Sequence, residues 1–205
     1  KLTKVDDPTY KGVATGGIAG GVGSNIQIHS VGYAPSSFYV YKQLYDENGN
    51  ILEGQYEDVN KDGVVNSSDF YHYKSPNPYL TAGITGSIHI SNFDLSFAGR
   101  ANLGNYVYNN VQTDMGYLNR AVASNGVLWN IHQSAIDNNV KDQSKLTFSD
   151  FFVRDASFFR IDHITLSYNL PNVFKGLRIY TTVQNPVVIT KYDGLDPEIG
   201  NGIDN

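Results

Sequence analysis

Between Tyr79 and Leu103 the side chains alternate with a period of two. Leu80, Ala82, Ile84, Ile88 and Ile90, with Gly86 among them, fall on one side. Thr81, Gly83, Thr85, Ser87 and His89 fall on the other. After Ser91-Asn92 the rhythm resumes, with Phe93, Leu95, Phe97, Gly99 and Ala101 set against Asp94, Ser96, Arg100 and Asn102. Successive side chains of a strand point to opposite faces, so the pattern predicts two strands of about eleven residues joined by a tight turn. That is the length and rhythm of a membrane-barrel hairpin, and Tyr79 and Phe93 near its ends suit interfacial aromatic girdles. A soluble sandwich whose apolar face is its core gives the same alternation, so alternation alone leaves both open.

Further strands are expected at Phe158 to Leu170 and Leu177 to Gln184, with a short turn over Pro171 to Gly176. Ile164, Leu166, Tyr168 and Leu170 share a face, and a regular strand would put Arg160 and Asp162 there as well. Charges on a lipid face are costly at mid-depth, so these two belong at the rim, or a bulge re-aims them. Phe38 to Tyr45 and Ile51 to Tyr56 read as a hairpin about Asn48-Gly49. Thr15 to Ser24, TGGIAGGVGS, lacks both phosphate-loop and dinucleotide spacing and reads as a bent loop. Lys1 to Pro8 is turn-like. Asn105 to Ser157 has little pattern: a short helix is expected around Trp129, KDQSKLTFSD as exposed loop, and the whole as one long connection. The GNGIDN tail offers no strand, and both ends look like those of a piece cut from a longer chain. The fold class is therefore all-β, with tight turns on one side and long connections on the other.

Asp58 to Asp69, DVNKDGVVNSSD, carries a second pattern. Oxygen-bearing side chains stand at the first, third, fifth, ninth and twelfth places: Asp58, Asn60, Asp62, Asn66 and Asp69. Gly63 stands sixth, where a calcium loop turns sharply, and Val64 stands seventh, where only a backbone carbonyl is needed. Six such oxygens suit Ca2+. Glu is usual at the last place, and Asp69 is shorter. An Asn/Asp/Gly-rich turn without metal is the plainer alternative. Pro76 and Pro78 bar the helix that follows such a loop in an EF-hand. The loop also resembles a dockerin calcium repeat, but a dockerin needs a second repeat and a helix after each.

The 205 residues carry a formal charge of -5 and no cysteine. No basic stripe exists to meet phosphates, which argues against nucleic acid as a partner. Disulfides and thiolate metal sites are excluded. No apolar run reaches the roughly 20 residues of a spanning helix, which leaves a β-barrel open. His29, His72, His89, His132 and His163 lack ligand spacing, and no serine sits in a nucleophile elbow, so nothing points to an enzyme.

Several segments together resemble a known family: the stretch Phe38 to Asp69, FFVRDASFFRIDHITLSYNLP, and LRIYTTVQNPVVITKYDGLDPEI. With them go a strand start at Asn77-Pro78-Tyr79-Leu80-Thr81-Ala82-Gly83, the run Asp155 to Arg160, and Gln184-Asn185. They resemble the C-terminal barrel of SusC-like TonB-dependent outer-membrane transporters, the RagA/SusC family. The resemblance implies a transmembrane barrel of about 22 strands, residues 1–205 being part of its wall and extracellular loops. It implies import of oligosaccharides, peptides or other large nutrients across the bacterial outer membrane. It further implies a SusD-like surface lipoprotein as cap, a TonB-type energy-transducing protein acting on parts outside this stretch, and contact with outer-membrane lipid. The alternative is a soluble, calcium-stiffened β-sandwich for adhesion or glycan binding.

Overall fold

The computed structural model describes residues 10–18, 25–122, 126–171 and 176–204. Strands come first: β1 (Val13–Gly17), β2 (Asn25–His29), β3 (Ser37–Val40), β4 (Gln43–Tyr45), β5 (Ile51–Tyr56) and β6 (Tyr71–His72). The long hairpin is β7 (Leu80–Ile90) and β8 (Phe93–Leu103). Then come β9 (Tyr106–Asn109), α1 (Asn110–Met115), α2 (Ser134–Asp137) and β10 (Val153–Asp155). The chain ends through β11 (Phe158–Leu170), β12 (Leu177–Thr190) and β13 (Ile203–Asp204). The all-β expectation holds for this stretch, as open sheets with a few short helices.

Two compact units divide these elements. Unit 1 takes residues 1–77, 106–155 and 193–205, and unit 2 takes 78–105 and 156–192. Unit 1 contains the sheet β1-β2-β3-β6, the pair β4-β5, and β10-β9-β13, in which β13 runs parallel to β9. Its core gathers Ile26, Phe38, Val40, Tyr108, Leu146 and Phe152, all buried. Unit 2 is one antiparallel sheet in the order β12-β11-β8-β7.

In unit 2 the predicted hairpin appears with its predicted bounds, Leu80 pairing with Leu103 and Ile90 with Phe93. Strand β11 pairs with β8 and β12, and its register slips between Ile161 and His163. Asp162 is the extra residue, so a bulge re-aims it. Beyond the bulge Arg160 aligns with Arg100 and Ile161 with Gly99, which returns Ile161 and Phe159 to the apolar row. Opposite the bulge lie Asn185, at φ 48°, and Pro186, between partners Gln184 and Val187. Pro186 lacks an N–H, and here, on an outer strand of the sheet, the ladder needs none from it. Strand β12 therefore runs to Thr190, past the expected end at Gln184.

Several expectations need correction. Phe38 to Tyr45 is not one strand: Tyr41 leaves β3 to bridge Ser149, and only β4 pairs with β5. The glycine stretch begins inside β1, Thr15 to Gly17 being its last three residues, while residues 19–24 lie outside the described residues, as do 1–9 and the turn interior 172–175. Among the described residues no helix surrounds Trp129, whose N–H bonds the Ala121 carbonyl instead; a 3-10 turn covers Leu118–Ala121. KDQSKLTFSD is anchored, not loose, with Leu146 and Ser149 fully buried. The region 105–157 carries β9, β10 and both α-helices, because Tyr106 to Asn109 finds partners distant in sequence. The tail supplies β13.

Candidate functional site

Within unit 1 the loop from Asp58 to Asp69 is built by its own carboxylates. Asp58 accepts the backbone N–H groups of Lys61 at 2.6 Å and Gly63 at 2.8 Å. Asn60 accepts from the Asp62 N–H at 2.8 Å, and Asp62 from the Val64 N–H at 2.8 Å. Gly63 sits at φ 86°, the left-handed region that a residue without Cβ adopts freely. Asn66 caps the 3-10 turn Ser67–Asp69 by accepting the Ser68 N–H, while its amide donates to the Val64 carbonyl at 3.0 Å. Asp69 is fully buried and accepts from Val59 at 3.0 Å, Asn60 at 3.2 Å and Asn66 at 2.9 Å. These amides, that of Asn66 foremost, hold its carboxyl below the usual carboxylate range.

All six predicted ligand groups thus lie in one short turn, and all six offer oxygen. Two oxygens of a carboxylate provide about four acceptor positions; Asp58 and Asp69 each fill three with backbone N–H groups. Among the described residues no three His, Cys, Asp or Glu side chains converge as a metal cluster. A cation would therefore draw on Asn60, Asn66 and the Val64 carbonyl as much as on the acids. The donor chemistry suits a hard divalent ion.

Phe70, directly after Asp69, fixes the loop to the rest of unit 1. Its ring lies 4.4 Å from that of Tyr41, 5.5 Å from Tyr39 and 6.0 Å from Phe148. The strand signal near Tyr41 gave no hint of the polar hub beside it. Buried Gln43 donates its side-chain amide to the carbonyls of Leu44, Leu52 and Gln55, and accepts from Ser149 Oγ at 3.0 Å. The Gln43 N–H reaches Asp150 at 3.1 Å, and Tyr71 donates its hydroxyl to Asp150 at 2.6 Å. Burial raises the Asp150 carboxyl above its ordinary value and also raises the Tyr71 hydroxyl.

Unit 2 presents a different feature, a sheet with two contrasting faces. Register places Ile84 beside Gly99, Ile88 beside Leu95, Leu95 beside Leu166, and Tyr168 beside Ile179. This apolar face is uncovered: Ile84 is 50 % exposed, Ile90 67 %, Ile179 59 % and Ile189 64 %. The other face is polar and internally bonded. Asp94 meets His89 at 2.5 Å and Asn169 at 2.9 Å; Arg178 donates to Ser167 at 2.7 Å, and Arg100 pairs with Asp162 at 2.7 Å. A closed sandwich core in unit 2 is not what these side chains form, and the sandwich alternative finds no support.

Along its whole length the chain is 42% identical, over 212 residues, to the TonB-dependent receptor SusC of Bacteroides thetaiotaomicron. The chain is SusC-like throughout. A TonB-dependent receptor of Formosa agariphila matches 87% of the chain at 26% identity. The SusC-like stretch spans about a fifth of the length of each relative, 21% and 20%. Among solved structures, the RagAB peptide importer in its open-open state covers 98% of the chain and 23% of its own, with a TM-score of 0.66 at 21% identity. The closed-closed state gives a TM-score of 0.60 at 22% identity, covering 87% of the chain and 22% of its own. At that identity these neighbours speak to the fold alone. No family model matches. The relatives carry receptor names, not enzyme names.

Proposed function

We propose that the protein to which this SusC-like stretch belongs is a TonB-dependent importer of the bacterial outer membrane. It takes up oligosaccharides, peptides or other large nutrients. Unit 2 supplies four strands of the barrel wall, its apolar face against outer-membrane lipid and its polar face toward the lumen. The loop from Asp58 to Asp69 and the connection from Asn105 to Ser157 face the extracellular side, where a SusD-like lipoprotein caps the barrel, and a TonB-type protein supplies energy through parts beyond this stretch. The observation that carries the reading is the uncovered apolar face of β7, β8, β11 and β12, backed by a bonded polar face. A water-exposed face of that size would be an aggregation hazard in a soluble protein, whereas a membrane barrel requires it. Fractionating cells that make the full-length protein tests this. It is expected in the outer membrane, detergent-extractable, and its deletion should abolish uptake of its nutrient; recovery from buffer without detergent would refute it.

Within unit 1, the loop binds Ca2+ through Asp58, Asn60, Asp62, the Val64 carbonyl, Asn66 and Asp69. The ion would supply stiffening and no chemistry, fixing Phe70 among Tyr39, Tyr41 and Phe148. Titration calorimetry on full-length protein should find one site that disappears when Asp58 and Asp62 are both replaced by Ala. Equal heats from the two proteins would remove the assignment.

A further inference from the structure

The apolar face of unit 2 carries a groove of about 200 Å³ between β11 and β12, beside the first residue of β8. We propose that this groove holds one acyl chain of a glycerophospholipid, whose head group rests at the tight-turn end of the sheet. The proposal rests on the reading of unit 2 as barrel wall and deepens it by naming one lipid site on that wall.

The groove follows from side-chain size and register. Ile90, Phe93, Tyr168 and Ile179 stand side by side in one row across the sheet. In the next row on the same face Leu95 stands beside Leu166, and Leu166 beside Thr181. Side chains two apart on a strand share a face, so Thr181 is flanked along its strand by Ile179 and across the sheet by Leu166. It is shorter than both and leaves a notch between them. Phe93 and Tyr168, their ring centroids 4.6 Å apart, border the notch together with Leu166 and Ile179. No charged side chain lines it. Lining atoms that face a void lose their dispersion contacts, and a chain of methylenes restores them without asking for a hydrogen bond.

Position selects the occupant. Phe93 directly follows the Ser91-Asn92 turn, and Ile179 stands two residues into β12, which opens at Leu177. The groove therefore lies at the tight-turn end of the sheet. Tight turns mark the periplasmic side of an outer-membrane barrel, where the facing leaflet consists of glycerophospholipid. Aromatic side chains gather where hydrocarbon meets head groups, and Phe93 and Tyr168 occupy that level. A head group beside the Tyr168 phenol would let one acyl chain run inward past Ile179, Leu166 and Thr181. The groove is continuous with the exposed apolar face on every strand of the sheet, so lipid reaches it without displacing protein.

Photolabelling tests the site. Full-length protein is reconstituted into vesicles of phosphatidylethanolamine and phosphatidylglycerol, doped with a phosphatidylethanolamine that carries a diazirine on one acyl chain. After illumination the labelled residues are mapped by mass spectrometry. Ile90 is the internal standard: it shares a row and a residue type with Ile179 and is 67 % exposed against 59 %. Labelling of Ile179 should exceed that of Ile90 severalfold. Thr181→Phe fills the notch with an apolar side chain that a lipid face accepts, so the protein should assemble and the excess should vanish. Thr181→Val keeps the shape and should keep the excess. The proposal is overturned if Ile179 is labelled no more than Ile90, if Thr181→Phe leaves the excess in place, or if Thr181→Val abolishes it. Labelling of Ile90 with none at Ile179 would put protein over the groove and overturns it too. Even labelling across the apolar face refutes the groove and spares the import reading; no labelling at Ile84, Ile90 or Ile179 refutes the lipid-facing wall and the groove with it.

Discussion

Asp69 and Asp150 are two acids of unit 1 whose surroundings push them in opposite directions. Backbone N–H groups stabilise the Asp69 carboxylate, so its contribution is complete above the ordinary carboxylate range, near pH ~4. It is lost as pH falls through the lowered value. Burial disfavours the Asp150 carboxylate, so its contribution to stability falls as pH rises from the ordinary value through the raised one. In melting curves of the full-length protein, the parent should gain on an Asp150→Asn variant as pH is lowered toward about 4. Parallel curves would show that burial does not govern this acid. For Asp69→Ala the expected reading is local: hydrogen exchange at Val59, Asn60 and Asn66 should accelerate on the order of tenfold or more, since their acceptor is gone. Residues of this kind were only half visible beforehand. The loop spacing announces Asp58 to Asp69, but Gln43 and Asp150 owe their roles to partners far along the chain, which no local pattern encodes.

At the scale of elements, β7 and β8 were legible to the residue because both their period and their turn are local. Strand β12 runs past the expected end at Gln184, since Asn185 and Pro186 stand against the bulged Asp162 on an outer strand and pairing resumes at Val187. Strand β3 was read too long because the pairing of Tyr41 with Ser149 is set by distant contacts. The bulge itself makes a prediction. Deleting Asp162 joins Ile161 to His163 with the Gly99 and Ala98 pairings intact, so Phe159 and Ile161 stay on the apolar face and membrane assembly of the full-length protein should persist. Deleting Thr165, which is regularly paired, shifts the strand before it by one residue, turns Phe159, Ile161 and Ile164 toward the polar face, and should abolish assembly. Equal assembly of the two variants would mean that the bulge does not set the strand's faces.

At the scale of the molecule, the account rests on which way unit 2 faces. Alternation in the sequence leaves lipid and dry core equally open; the exposed apolar side chains along β7 and β12, with side-chain hydrogen bonds on the opposite face, favour lipid. Neighbouring residues on opposite faces of β7 allow a direct measurement. Ile84 and Thr85 are consecutive, lie mid-strand, and differ chiefly in the side of the sheet they occupy. In the full-length protein, Ile84→Arg should cost about 2–4 kcal/mol of membrane stability, as a cation on the lipid face near mid-depth does, while Thr85→Arg should be tolerated. The readout is the amount of heat-modifiable, folded protein in the outer-membrane fraction. The account predicts a large loss for Ile84→Arg and near-parental levels for Thr85→Arg; equal levels, or the reverse order, would contradict it.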